Sequence, residues 1–180
     1  MKTFYGIENI KIEAPTVLAI GKFDGVHQGH RELIKTLSGI KESQGGSAET
    51  CVFLLRGASE KTLVSDERRI EIISSYGVDN LVICDFTDEI KKMPAEVFLS
   101  EVIIKKLNAV VLAAGADIRF GAGGAGNLDF LREKSGRYGL SLVIIEKKEY
   151  KGEPISSSRI RDCISRGDRE DADAMLGNLN

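Results

Sequence analysis

The sequence lacks Trp altogether and contains only 2 His, 3 Pro and 3 Cys among its 180 residues. Cys51, Cys84 and Cys163 are far apart, form no CxxC pair and have no His nearby in sequence, so we interpret them as buried, reduced residues. An excess of one charge is also missing, because 25 Lys and Arg against 27 Asp and Glu give a formal net charge of −2. This balance excludes a nucleic-acid-binding surface built on bulk charge, and we expect no nucleic-acid partner.

Long hydrophobic runs are absent as well. The longest wholly apolar segment runs from Ala109 to Ala114, whereas a membrane span needs about 18 or more residues. Glu8, Lys11 and Glu13 interrupt the N-terminal segment, which therefore does not resemble a signal peptide. We expect no membrane association and a cytoplasmic location. A chain of 19.6 kDa is large enough for one good core, so we predict a single domain over residues 1–180.

Short β-branched runs alternate with amphipathic segments along almost the whole chain, which is typical of βαβ units. We predict strands at 16–20, 50–55, 80–84, 109–113 and 141–145. Helices are predicted to begin near residues 29, 65, 94, 127, 157 and 168. The second is expected to bury Ile70, Ile73 and Tyr76, and the third Val97, Phe98 and Val102. The predicted fold class is α/β, a Rossmann-like doubly wound parallel sheet of about five strands in the order 3-2-1-4-5.

Such a sheet binds ligands beyond the carboxyl ends of its strands, where the strand order reverses, so the loops after Ile20 and Ala113 are expected to face each other. The first loop, residues 21–30, contains both histidines of the protein, His27 and His30. On the first turn of a helix, both imidazoles would project to one side, beside free N–H groups and the positive end of the helix dipole. This arrangement predicts an anion site.

Two other interpretations of the histidine pair remain open at this point. A zinc site would need a third ligand, and the HExxH spacing is absent. The histidines could also be capping or core residues. Asp24, in the same loop, is interpreted as a structural acceptor that shapes it.

Two further segments could bind phosphate. Ile155–Arg161 reads ISSSRIR and opens a predicted helix, where the hydroxyls either bind phosphate or only cap the helix and Arg161 can fork onto phosphate oxygens. Gly121, Gly123 and Gly126 spell GxGxxG, with Glu146 twenty residues later, as in a dinucleotide-binding fingerprint. The fingerprint needs the strand to run straight into the first glycine, however, and the residues Asp117, Ile118, Arg119 and Phe120 intervene here, which favours a mobile loop over the crevice.

GKFDGVHQGH, GADIRFGAGGAGN and ISSSRIR, in that order, resemble the FMN adenylyltransferase (FAD synthetase) domain of the bacterial bifunctional riboflavin kinase/FAD synthetase family, within the HxxH nucleotidyltransferase superfamily. The final GDREDADAMLG is similar to the closing helix of that domain, so the resemblance covers nearly the whole chain. It implies that ATP, with Mg²⁺, and FMN react to give FAD and pyrophosphate.

The resemblance also implies roles for particular residues. The implied catalytic residues are His27, His30, Ser157, Ser158 and Arg161. The implied ATP site adds Gly21, Lys22, Phe23 and Gly25 to these five. The implied acceptor site for FMN consists of Asp117, Arg119, Phe120 and Asn127. No metal-ligating residue of the protein is implied.

The chain departs from the family on the acceptor side. The usual Pro-His-Pro turn is missing from Phe53–Ala58, and Ala122 and Gly124 stand where basic residues are usual. We therefore keep two alternatives: a related adenylyl- or cytidylyltransferase for another phosphorylated acceptor, such as phosphopantetheine or glycerol phosphate, and a non-catalytic nucleotide- or flavin-binding regulator. We expect no riboflavin kinase domain in residues 1–180, and a separate riboflavin kinase as the source of FMN.

Overall fold

The structure is a computed structural model that describes residues 1–57 and 62–177. Six parallel strands form its sheet, and their bounds are β1 Lys2–Tyr5, β2 Thr16–Gly21, β3 Glu49–Arg56, β4 Asn80–Asp85, β5 Ala109–Gly115 and β6 Ser141–Ile145. The order across the sheet is β1-β4-β3-β2-β5-β6. The five predicted strands are confirmed in the predicted order. The additional strand, β1, lies at the edge beside β4, and its four half-exposed or exposed residues give no apolar run to detect.

The helices connect the strands on both faces of the sheet. Their bounds are α1 Gln28–Ser43, α2 Asp66–Ser75, α3 Asp88–Lys92, α4 Ala95–Val97, a π-helix Phe98–Lys106, α5 Leu128–Lys134, α6 Ser157–Arg166 and α7 Arg169–Leu176. Short 3₁₀ turns lie at Asp24–Val26, Ala122–Gly124 and Ser135–Tyr138, and β7 Glu149–Tyr150 pairs with β8 Glu153–Pro154 in a small hairpin. Within the described ranges, no helix is long and apolar enough to cross a bilayer.

Polar caps and glycines set the ends of several helices as predicted. The side chains of Ser65 and Asn127 accept hydrogen bonds from backbone N–H groups three residues on, which begins α2 and α5. Gly167 and Gly177 adopt left-handed φ values of +84° and +79° and end α6 and α7.

Alternating side chains of the central strand β2 belong to two separate hydrophobic cores, one on each face of the sheet. Val17 packs with Leu37 of α1 on one face, and Leu18 packs with Phe98 and Leu99 of the π-helix on the other. Helices therefore cover both faces of the sheet, and the doubly wound α/β class is confirmed.

Three predicted core positions are wrong or only partly right. Val97 is 39% exposed, because the chain turns from α4 into a π-helix at Phe98 and the α-helical spacing no longer applies. In α2, Ile73 is buried as predicted, but Ile70 and Tyr76 are only partly buried. The other buried residues of this helix are Ile72 and the charged Arg69, which is 3% exposed.

Candidate active site

A cleft of about 560 Å³ opens beyond the carboxyl ends of β2, β3, β5 and β6. The loops after β2 and β5 line it together, as the reversal of strand order predicts. Eight of the predicted site residues belong to its wall: Gly21, Lys22, His27, His30, Asp117, Arg119, Phe120 and Ser157.

The loop between β2 and α1 brings the two histidines together. It passes through left-handed conformations at Phe23 (φ 47°) and Gly25 (φ 78°) before His27 caps α1. The imidazole rings of His27 and His30 are stacked, with centroids 3.7 Å apart and planes 17° apart. The fully buried ring of Phe23 lies 5.0 Å from that of His30 and supports the stack from below the surface.

Both imidazoles are neutral in the free protein at pH 7. Burial lowers the pKa of His27 from its usual 6.5 to about 4, against the opposing effect of the Asp24 carboxylate. Burial and the neighbouring His27 hold the pKa of His30 well below its usual range. The Nδ1 atoms of both rings are buried and have no hydrogen-bond partner among the described residues. Two such atoms in one cleft wall favour a polar ligand there.

The N-terminus of α6 reaches the same loop. Ser156, rather than Ser157 or Ser158, caps the helix. The Ser157 hydroxyl donates a hydrogen bond of 3.0 Å to the backbone oxygen of Asp24, and the Arg161 guanidinium forms an ion pair with the Asp24 carboxylate. The interpretation of Asp24 as an acceptor that shapes the loop agrees with these contacts.

Five predicted site residues lie outside the cleft wall, and these are Phe23, Gly25, Asn127, Ser158 and Arg161. Gly25 packs against Leu63, with no room for a side chain, and Asn127 caps α5. Ser158 is exposed.

The segment after β5 folds back on itself next to the cleft. Phe120 and Gly126 form an antiparallel bridge, and the Ala122 N–H donates to the Met93 oxygen at 2.7 Å. Gly121 lies against the backbone of Ala95, where a Cβ would come within 2.6 Å of its Cα. Gly121 and Gly126 therefore pack against protein, and the GxGxxG run does not form the direct strand-to-helix turn of a dinucleotide fingerprint.

Sequence reasoning missed two parts of the cleft. Apolar lining comes from β3, from the segment after β4, from the π-helix and from the loop after β5, and these residues are Phe53, Leu55, Phe86, Ile90, Phe98 and Ile118. Basic lining comes from Lys147 and Lys148, directly after β6. Lys147 pairs with Asp117 at 2.8 Å and Lys148 with Glu32 at 3.4 Å. The position of the lysines at the end of a predicted strand was the signal that could have identified them.

The order of the strands places the apolar lining and the basic lining at different ends of the cleft. The residues of β3 and the segment after β4 lie on one side of β2, and the two lysines after β6 lie on the other. The histidines, which follow β2, lie between an apolar wall and a basic one. Such a cleft can hold a ligand with a flat ring at one end and phosphate groups near its middle.

The end of β3, next to the position where the Pro-His-Pro sequence is missing, is held by ion pairs. Arg56 forks onto the Asp85 carboxylate and also reaches Asp66 at 2.9 Å. Ala58, the last residue of that predicted departure, lies outside the described residues.

A zinc centre at the histidines finds no support from their surroundings. Across residues 1–57 and 62–177, no group of three or more His, Cys, Asp or Glu side chains is arranged to hold a metal ion. His27 and His30 therefore have no third protein ligand in that part of the chain.

A Rossmann-like sheet with paired histidines at the switch point defines an α/β fold of the nucleotidyltransferase type. Residues 9–159 match the FAD synthetase family, and the chain belongs to that family.

Among curated proteins, the chain is 32% identical to the bifunctional riboflavin kinase/FMN adenylyltransferase of Buchnera aphidicola subsp. Schizaphis graminum and 29% identical to that of Escherichia coli K12. Each alignment covers 98% of this chain, and the chain spans 60% and 59% of the two relatives. A crystal structure titled as a macrolide-efflux protein from Streptococcus pneumoniae superposes with a TM-score of 0.84 at 23% identity, over 98% of this chain and 60% of that one. This last likeness shows the fold alone.

Proposed function

We propose that this chain is an FMN adenylyltransferase, which joins the AMP part of ATP to FMN and releases pyrophosphate. The observation that carries the proposal is the pair of neutral, stacked imidazoles in the cleft wall, whose buried Nδ1 atoms have no hydrogen-bond partner among the described residues. Curated relatives whose names include FMN adenylyltransferase align with 98% of the chain, which supports the same activity.

The phosphates of ATP would bind at the beginning of α1. Free backbone N–H groups of its first turn, together with His27 and His30, offer donors to the α- and β-phosphates. The negative charge of the polyphosphate would raise the pKa of His27 and bring a proton onto the ring when ATP binds. Lys22 and Ser157 would contact the same phosphates from the cleft wall, and Gly21 would let the backbone approach them.

The flavin would bind against the apolar wall. Phe53 and Phe98 meet edge to face at 5.8 Å, and Phe98 lies 5.5 Å from Phe120, so that several rings form a continuous surface. Arg119 would serve the phosphate of FMN, and Asp117 would bind the flavin or order the lysine beside it. Phe23, Gly25 and Asn127 would act by shaping their loops, as their packing indicates.

In the proposed reaction a phosphate oxygen of FMN attacks the α-phosphorus of ATP. The bond from that phosphorus to the oxygen bridging to the β-phosphate breaks, and pyrophosphate leaves with the bonding electrons. Mg²⁺ would enter as part of the MgATP substrate, held by phosphate oxygens. The protein contributes placement and stabilisation of charge, with no covalent nucleophile.

The decisive experiment incubates the purified protein with MgATP and FMN and measures FAD and pyrophosphate together. Phosphopantetheine, glycerol phosphate and CTP in separate reactions test the alternative transferases, and riboflavin in place of FMN tests the need for a separate kinase. We expect FAD and pyrophosphate in equal amounts from MgATP and FMN, and no pyrophosphate with the other acceptors or with CTP. Turnover only with another acceptor, or nucleotide binding without turnover, would contradict the proposal.

A further inference from the structure

Asp24 connects three separate elements immediately before the histidine pair. Its carboxylate accepts the backbone N–H of Leu63 at 2.9 Å and pairs with Arg161 of α6, and its backbone oxygen accepts the hydroxyl of Ser157 at 3.0 Å. The side chain is only 12% exposed. One buried carboxylate therefore ties the loop of the histidines to α6, whose Ser157 is proposed to contact the phosphates of ATP.

A second buried cation lies on α2, the helix that packs against the Asp24–Val26 turn. Arg69 of α2 is 3% exposed; its Nη2 atom pairs with Asp66, and its Nε atom is buried without a partner in the described part of the chain. Burial lowers the pKa of Arg69, and the negative charge of Asp24 opposes that effect, which means that the two side chains attract each other. Asp24 is thus paired with the guanidinium group of Arg161 on α6, and the positive charge of Arg69 on α2 attracts it as well.

The two arginines differ in what surrounds them. Arg161 is half-buried, at 39% side-chain exposure, on the first turns of α6 whose N-terminal residues line the cleft. Arg69 is enclosed. A polyphosphate in the cleft carries several negative charges and offers forked oxygen pairs, so it competes with a single carboxylate for an arginine that can reach it. Removing one partner of a buried ion pair is costly unless another charge remains to compensate it.

We propose that Asp24 is a positioning residue that holds Arg161 in the free protein and releases it to the polyphosphate when ATP binds, while Arg69 continues to neutralise Asp24. This inference rests on the proposed function, because that function identifies the polyphosphate as the one of ATP. Asp24 itself touches no substrate. Its effect on the reaction is exerted through Arg161 and Ser157.

Asp24→Asn isolates the charge, because the amide oxygen can still accept from Leu63 and the backbone oxygen can still accept from Ser157. Without a carboxylate that competes for Arg161, binding of a non-hydrolysable ATP analogue should tighten by about threefold or more. The kcat for FAD formation should fall by about tenfold or more, since Arg161 is no longer held in place before the reaction. A residue with a purely structural role would not tighten nucleotide binding.

For Arg69→Met we expect the opposite change in affinity for the ATP analogue. With its second cation removed, Asp24 would retain Arg161 more firmly, and the analogue should bind about tenfold more weakly. In the Asp24→Asn background, Arg69→Met should have no further effect on affinity. Asp171→Asn, which removes an ion pair with Lys151 at the surface of α7, is the matched control and should leave affinity unchanged.

Calorimetric titration of the analogue into each folded variant, with circular dichroism to verify folding, measures these effects. Weaker binding by Asp24→Asn, or additive effects in the double variant, would overturn the inference while leaving the proposed function intact. No binding by the wild type would overturn both. If Asp24→Asn fails to fold, the Arg69 variants still test the inference. Arg69→Met should bind the analogue more weakly, whereas Arg69→Lys keeps the charge and should bind it with wild-type affinity.

Discussion

The imidazole rings of His27 and His30 lie face to face at 3.7 Å, and the Nδ1 atoms of both are buried without a partner in the described chain. Two neutral rings in contact avoid the repulsion that two imidazolium ions would have at this distance. The histidine pair is thus neutral in the free protein, and we expect it to become positive only when a negative ligand compensates the added proton. We therefore predict that phosphate binding at this pair is coupled to proton uptake.

Replacement of either histidine should abolish most of the proposed turnover. We expect His27→Asn and His30→Asn each to lower kcat for FAD formation by at least ~100-fold, the scale of losing one donor to the transition state. Ser38→Ala, an exposed position of the same helix, is the control and should keep the wild-type rate. Wild-type turnover in a histidine variant would remove the phosphate-binding role of that residue.

The lowered pKa of His27 predicts that acid destabilises the protein. Its pKa is about 4 when folded and about 6.5 when unfolded, so the unfolded chain binds more protons between these values and stability falls as the pH drops through that range. From pH 7.5 to pH 5.0, His27 should account for a loss of about 2 kcal/mol in the free energy of unfolding.

Urea unfolding of the wild type and of His27→Gln at both pH values measures that share. The variant should lose less stability on acidification than the wild type. Equal losses would mean that His27 titrates normally in the folded protein.

Gly126 should be essential for the acceptor side of the cleft. A Cβ at this position would come within 2.5 Å of the Phe120 ring, so Gly126→Ala must displace a residue that lines the cleft. We expect a loss of about 1–3 kcal/mol in stability and weaker FMN binding, with little change in affinity for the ATP analogue. Gly136→Ala, where a Cβ meets nothing within 4 Å, is the matched control. Unchanged FMN affinity in Gly126→Ala would exclude Phe120 from the acceptor site.

A basic side chain added to the glycine-rich segment 121–126 should improve FMN binding at residue 122 but not at residue 124. Ala122→Lys should tighten FMN by about 1 kcal/mol if it supplies one partly exposed phosphate contact. Gly124→Arg, an equally basic change, should instead destabilise the turn, because Gly124 has φ +69°. Fluorescence titration of FMN with the ATP analogue present measures both, and a gain for Gly124→Arg but none for Ala122→Lys would contradict the geometry.

Five of the six strands, their order and the meeting of two loops at the switch point could be predicted from the sequence, because buried parallel strands have continuous apolar runs and short connections restrict their arrangement. It also indicated His27, His30 and Ser157 as neighbours in one site.

The apolar wall of the cleft could not be predicted, because it forms where distant segments pack together. Phe53, Phe86 and Phe98 come from three elements, and nothing in their local pattern distinguishes cleft lining from core. The partner of Arg161 was likewise decided in three dimensions, since Asp24 is 137 residues away in the chain. Periodicity reports which face of an element is buried, whereas ion pairs and clefts depend on which buried faces meet.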